Sequence, residues 1–146
     1  MRRSGRRLGV IIEWHFQATE AAQALLARHA FMVFVRESCT PESDHEGAEI
    51  VFGELVANVV RHAPGAIRIT VIADTLGAVT LEVYDTGRGF TPVASLPGEE
   101  YSDSGRGIYI VSQLCSTLLS ALTKTGNKVS VGLPLVALRP ALKLIN

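Results

Sequence analysis

Cysteine, net charge and long apolar runs are the features this sequence has least of, and each scarcity excludes a class of protein. The two cysteines, Cys39 and Cys115, form neither a zinc-ligand pattern nor a disulfide framework, which favours a reducing, cytoplasmic setting. The 14 basic and 14 acidic residues cancel, so we expect no nucleic acid or membrane surface held mainly by charge. No apolar run approaches the length of a membrane span.

Several common site motifs are also missing. There is no Gly-x-x-x-x-Gly-Lys-Ser/Thr phosphate loop, and no glycine cluster completes the dinucleotide pattern Gly-x-Gly-x-x-Gly. Asp85 does not begin a calcium loop, because Gly87 and Gly89 stand where oxygen ligands would be needed. The four histidines lack the spacing of zinc ligands. A nucleotide or metal site in this chain would have to be built differently.

The 146 residues suit one domain, and 47% of them are apolar, which is enough for a sizeable core. Since no internal repeat or low-complexity tract appears, we expect a single domain over residues 10–135, with terminal extensions at 1–9 and 136–146. Thr19 is the expected cap of the first helix. Periodicity and turn residues predict a strand at 10–16, helices at 20–37, 44–62 and 107–118, and hairpins at 67–84 and 121–133.

Each predicted strand has one apolar face and one more polar face. The strands of a doubly wound parallel sheet would instead be apolar on both faces. The sequence therefore predicts an α/β two-layer sandwich, in which a mixed, mostly antiparallel sheet carries helices on one face only.

Two polar residues, Glu54 and Asn58, lie one turn apart on the second predicted helix, at the border of its apolar arc. A carboxylate beside a neutral amide oxygen can accept a proton and ligate a hard cation such as Mg²⁺ when phosphates supply more negative charge. An ordinary helix surface also carries such pairs, so this pattern alone leaves both interpretations open.

Asp85 shares its strand parity with Leu81 and Val83 and is predicted to point toward the apolar side. A buried carboxylate needs a partner, which is either a backbone amide of the following turn or a ligand. Glycine pairs at 87–89 and 105–107 favour a ligand. Glycines let backbone N–H groups approach it closely, and a helix start attracts phosphate.

Taken in order, three segments resemble the GHKL superfamily of ATPases: ELVANVVRHA (54–63), DTGRGF (85–90) and GRGIYIVSQL (105–114). Within that superfamily the chain is most similar to the single-domain anti-sigma-factor serine/threonine kinases. The resemblance spans about residues 10–133. It implies the Bergerat ATP-binding fold, ATP and Mg²⁺ as cofactors, and a homodimer.

The resemblance also implies a role for each motif residue. Asp85 would accept a hydrogen bond from the adenine amino group, Asn58 would ligate Mg²⁺, and Glu54 would act as general base. Residues 91–103 would form a lid over ATP. The nucleotide-lining positions would be Gly87 and Gly89 at the adenine, and Gly105, Arg106 and Gly107 at the phosphates.

One position departs from the family's pattern. Where the family often has Gly-Thr before its last strand, this chain has Gly126-Asn127-Lys128. A hydroxyl that assists in the adenine pocket is therefore missing, and we expect the nucleotide affinity to be altered.

The functional hypothesis is an ATP-dependent serine/threonine protein kinase that regulates transcription as an anti-sigma factor. Its partners would be a sigma factor and a small anti-sigma-factor antagonist, which would be the phosphoacceptor. Two alternatives stay open: an ATP-binding switch without kinase activity, and the detached catalytic domain of a histidine kinase.

Overall fold

Eight elements make up the part of the chain that the computed structural model describes, which is residues 8–62, 65–86, 103–122 and 126–138. Their order of strand, two helices, hairpin, helix and hairpin is the one that the apolar periodicity predicts. The elements are β1 (Leu8–Gln17), α1 (Ala21–Ser38), α2 (His45–His62), β2 (Ala66–Asp74), β3 (Ala78–Asp85), α3 (Asp103–Leu114), β4 (Leu118–Leu122) and β5 (Asn127–Val136).

The strands form one sheet in the order β1-β2-β3-β5-β4. All four neighbouring pairs are antiparallel, which confirms the mostly antiparallel prediction. The parallel pairing that a mixed sheet would contain does not occur among these described strands. Strand β3, which ends at Asp85, is therefore flanked by a strand on each side, with β5 between it and the edge strand β4.

One face of the sheet carries the core and receives the helices. Alternate residues of β3 and β5 are buried, as a half-buried strand requires. From the helix layer, Phe52 of α2 stacks on Phe31 of α1 with ring centroids 4.8 Å apart, and it meets Trp14 of β1 in a T-shaped contact at 6.1 Å. Burying a side chain of this size contributes about 1.5–3 kcal/mol. The cluster joins both helices to the sheet and confirms the two-layer prediction.

The predicted limits of the third helix are wrong at both ends. α3 begins at Asp103 rather than at Gly107, and it ends at Leu114. Leu118, which fits the apolar face of a longer helix by spacing alone, instead lies in β4 and pairs with Val131 of β5. The chain turns at residues 115–117, and Leu118 is therefore the first residue of β4 instead of part of the helix.

The first two helices begin differently from each other. Thr19 does not cap α1, because Glu20 occupies the N-cap position and no side-chain cap bond is present in this described segment. Asp44 does cap α2, since its Oδ1 accepts a hydrogen bond from the Gly47 N–H at 2.9 Å. Within the described ranges, none of the helices combines the length and apolar character needed to cross a bilayer.

Helix α2 brings its second half to the end of the sheet where β3 closes. Phe52 of α2 contacts Trp14, whose partner Ile69 is two residues from Ile67, the partner of Asp85. The start of α2 is fixed to the far part of β5 by a hydrogen bond from the Asp44 N–H to the Pro134 carbonyl at 3.0 Å. From Asp44 to Asn58 the helix advances about 21 Å, and from Pro134 back to Asn127 the strand covers about 23 Å. Asn58 and Asn127 therefore lie at the same end of the sheet, where Asp85 closes β3 opposite Asn127.

Candidate functional site

Asp85 is the last residue of β3, and its carboxylate lies inside the molecule. It is 6% exposed and pairs in register with Ile67 of β2 and Asn127 of β5. The side chain therefore faces the helix layer, and the orientation predicted from strand parity is confirmed.

Asp74, the last residue of β2, shows what a turn-closing aspartate looks like in the same sheet. It is 5% exposed, and its Oδ1 accepts hydrogen bonds from the Leu76 and Ala78 N–H groups at 2.9 and 3.0 Å. Because a buried strand-end aspartate can be purely structural, the role of Asp85 has to be argued from the groups around it.

Asn58 and Glu54 approach the same end of the sheet from α2. Asn58 is 3% exposed and thus deeper than the predicted border position, whereas Glu54 is half-buried as predicted. The two side chains stand one turn apart on the same side of the helix. No group of three or more His, Cys, Asp or Glu side chains that could hold a metal occurs in the described ranges. One amide oxygen beside one carboxylate fits Mg²⁺ when phosphates complete the ligand set.

Helix α3 places its first turns against Glu54. A Cβ at Gly107 would collide with the Glu54 carboxylate, so glycine is needed for this close approach. Gly105 and the exposed Arg106 lie in the preceding turn, and the backbone N–H groups before Arg106 have no i−4 carbonyl within the helix to bond. This end of α3 also carries the positive end of the helix dipole and therefore favours phosphate. The Glu54 carboxylate and the first turns of α3 are therefore in direct contact.

Part of the predicted site lies outside the described residues. Gly87 and Gly89, the expected adenine turn, belong to that part, as do residues 91–102 of the expected lid. The last lid residue, Asp103, is described and begins α3. The structure thus brings Asp85, Asn58, Glu54 and the start of α3 to one end of the sheet.

A cavity of about 520 Å³ opens beside Asp85 on the side of β1 and β2. Its walls come from these strands, the end of β3 and the approach to α1, and include His15, Glu20, Arg68 and Tyr84. Among the residues that the structure describes, its lining includes none of α2 or α3 and shares only Asp85 with the predicted site. This cavity is therefore distinct from the space between Asp85 and the start of α3.

The two cysteines are placed as structural residues. Cys39 follows α1 and pairs with Ala137 at the end of the sheet opposite Asp85, and Cys115 follows α3. Burial raises the pKa of each thiol to about 11. Both thiols are protonated at neutral pH, so neither is an activated nucleophile.

Asn127 also lies at this end of the sheet. In the sequence it is only part of a segment that lacks the family's hydroxyl, and its burial beside Asp85 was not predicted. It is 1% exposed and lies opposite Asp85. Its parity with Val129 and Val131, both buried, is the signal that would have predicted its burial. A Cβ at Gly126 would collide with the backbone carbonyl of Asp85, so glycine brings the two strands close before they pair.

A family model described as a histidine kinase-like ATPase domain matches residues 16–133 of the chain. The match runs from the end of β1 into β5 and includes every residue of the site described above. Among curated proteins, none matches the chain.

Proposed function

This chain belongs to the histidine kinase-like ATPase (GHKL) family, and from that premise we propose that it is an ATP-dependent serine/threonine protein kinase acting as an anti-sigma factor. Its substrates would be Mg-ATP and a hydroxyl of a small antagonist protein. A sigma factor would be its second partner, and a homodimer its assembly. The observation that carries the proposal is the contact of Glu54 with Gly107, since a proton acceptor lies where backbone N–H groups favour phosphate.

Each residue has one binding task in this proposal. Asp85 accepts a hydrogen bond from the exocyclic amino group of adenine and so orients the nucleotide. Asn58 would hold Mg²⁺ through its side-chain oxygen. The bound ion would neutralise phosphate charge during transfer. The first turn of α3 contains Gly105 and Arg106, and its free N–H groups would bind the phosphate oxygens.

Phosphoryl transfer needs mainly positioning and electrostatic stabilisation, with one group to receive a proton. The serine or threonine oxygen attacks the γ-phosphorus, its proton passes to the Glu54 carboxylate, and the bond between the γ-phosphorus and the bridging oxygen breaks so that ADP leaves. General-base assistance of this kind contributes roughly 10²–10⁴-fold in rate. Glu54 is suited to this task because its half-buried carboxylate lies against α3, within reach of the helix start that would bind the phosphates.

The test compares Glu54→Gln with Glu49→Gln in transfer of labelled phosphate from ATP to a candidate antagonist. Glu54→Gln keeps the side-chain shape and removes the proton acceptor, so transfer should fall roughly 10²–10⁴-fold. The calorimetric Kd for ATP should stay close to the wild-type value. Glu49 is on the same helix and pairs with Arg28 at 3.4 Å, so its variant should transfer normally. Transfer by Glu54→Gln at the wild-type rate would remove Glu54 from the mechanism.

The same assay separates the alternatives. Wild-type protein that binds ATP and labels no serine or threonine would be a nucleotide-dependent switch rather than a kinase. Label on a histidine of this chain would indicate the catalytic domain of a histidine kinase.

A further inference from the structure

Asn127 carries a buried hydrogen-bond donor that has no partner. The residue is 1% exposed. Of the buried side-chain nitrogen and oxygen atoms in the described residues, its Nδ2 is the one that makes no hydrogen bond. Buried polar groups in folded proteins are nearly always bonded, because an unmade bond leaves the loss of hydration uncompensated. This donor therefore calls for a partner that is not part of the described chain.

The other half of the amide fixes the direction of that donor. The Ser120 hydroxyl donates to Asn127 Oδ1 at 3.3 Å. Ser120 is on β4, and β5 separates β4 from β3. With its oxygen engaged by Ser120, Asn127 keeps its Nδ2 for another acceptor on the inner face of the sheet, where its register partner on β3 is Asp85.

Asp85 and Asn127 form one cross-strand pair on the inner face of the sheet. The Cβ atoms of such a pair are about 4.5–5.5 Å apart. An ionised carboxylate only accepts hydrogen bonds, and an amide nitrogen only donates them. An acceptor and a donor therefore stand side by side, at the end of the sheet to which α2 brings Asn58.

We propose that Asp85 and Asn127 together recognise one edge of the purine base and select adenine. This inference rests on the proposed binding of ATP. The adenine amino group donates to the Asp85 carboxylate, and the neighbouring ring nitrogen N1 accepts from Asn127 Nδ2. Asn127 thus replaces the missing hydroxyl with a group that reads the base directly.

The pair discriminates because 6-oxopurines present the opposite pattern. In hypoxanthine and guanine the 6-position is an acceptor and N1–H is a donor, so an acceptor would face Asp85 and a donor would face Asn127 Nδ2. A site whose buried polar groups are left unpaired by the wrong substrate rejects it strongly. We expect ATP to bind roughly 100-fold or more tightly than ITP, which differs from ATP only in this edge.

The first experiment is calorimetric titration of ATP and ITP into wild type, Asn127→Leu and Lys128→Ala. Asn127→Leu keeps the number and branching of the side-chain heavy atoms and removes the donor, so ATP should bind roughly tenfold more weakly and the ratio of ATP to ITP affinity should shrink. The thermal midpoint without nucleotide should change little, because removal of the unpaired buried Nδ2 offsets loss of the bond from Ser120 to Oδ1. Lys128 is adjacent in sequence and faces the other side of the sheet, so its variant should behave as wild type.

The second experiment exchanges the two groups in the double variant Asp85→Asn/Asn127→Asp, which keeps charge and composition. The donor then stands on β3 and the acceptor on β5, so the preference should invert and ITP should bind more tightly than ATP. Loss of ATP selectivity in Asn127→Leu alone is sufficient support if the double variant does not fold, as judged by circular dichroism.

The outcomes separate this inference from the kinase proposal. Equal binding of ATP and ITP by wild type, or an Asn127→Leu variant with unchanged affinity and selectivity, would overturn purine reading by Asn127 while leaving the kinase intact. Selective ATP binding without phosphoryl transfer would support the purine reading and overturn the kinase. Failure of wild type to bind any nucleotide would overturn both.

Discussion

Where β3 and β5 pair, the polar side chains on the two faces of the sheet differ in their partners. On the outer face, Arg68 lies over the ring of Tyr84 at 3.9 Å, and the Lys128 ammonium is 5.6 Å from the same ring. Lys128 also pairs with Glu82 at 3.6 Å. These outer side chains find partners among themselves.

On the inner face, one residue away along each strand, Asp85 and Asn127 are buried and the Asn127 donor has no partner among the described residues. Tyr84 and Asp85 are consecutive, and so are Asn127 and Lys128, so the pleat of the sheet alone assigns them to opposite faces. A polar group with its own partner is explained by the fold. A buried one without a partner points to a ligand.

The largest expected effect comes from filling the close approach at the inner site. Gly107→Ala adds a Cβ where the Glu54 carboxylate now lies. The end of a long side chain moves easily, so the fold should survive, but Glu54 would be displaced from the start of α3. Phosphoryl transfer should fall by roughly 10²-fold or more, toward the level of a variant without its general base.

Gly53→Ala is the matched control for that substitution. A Cβ at Gly53 on α2 would meet the Arg28 guanidinium at 3.6 Å, an ordinary contact distance. Replacing glycine by alanine inside a helix stabilises it by about 1 kcal/mol. Denaturation should show this gain with transfer unchanged. A Gly107→Ala protein that transfers phosphate normally would show that the contact between α2 and α3 does not position the chemistry.

Smaller effects are expected from substituting asparagine for each of the two buried aspartates that end β2 and β3. Asp85→Asn replaces the acceptor for the adenine amino group, and a hydrogen bond to a charged group contributes about 1.5–3 kcal/mol, so ATP should bind roughly 10–100-fold more weakly. Asp74→Asn weakens two bonds that close a turn, so it should lower the free energy of unfolding by about 1–3 kcal/mol and leave the Kd for ATP unchanged. The opposite assignment of effects would make Asp85 the structural residue.

Strand parity predicted much of this arrangement from the sequence. The alternation in β3 placed Asp85 on the inner face, and the same period in β5 would have placed Asn127 there. The missing partner of Asn127 was not predictable, because it depends on which strands flank β5 and on Ser120 occupying the amide oxygen.

The start of α3 was predicted wrongly for a different reason. The segment 103–107 contains Ser104, Gly105 and Gly107, which have low helix propensity and are typical of a loop. Its helical turn is stabilised by packing against α2, and Gly107 is needed for the close contact with Glu54. Local propensity could not predict a contact between residues so far apart in sequence.

The smallest expected effects belong to the outer face. Arg68→Ala removes the cation over Tyr84, a contact that contributes about 0.5–1 kcal/mol at an accessible site, so the free energy of unfolding should fall by no more than about 1 kcal/mol. Arg68 and Tyr84 also line the cavity of about 520 Å³ beside Asp85. If the nucleotide occupied that cavity, Arg68→Ala would weaken ATP binding as Asp85→Asn does. We expect the Kd for ATP to be unchanged, because the inner pair and the start of α3 lie on the other side of the sheet, and a titration of this one variant decides which side holds the base.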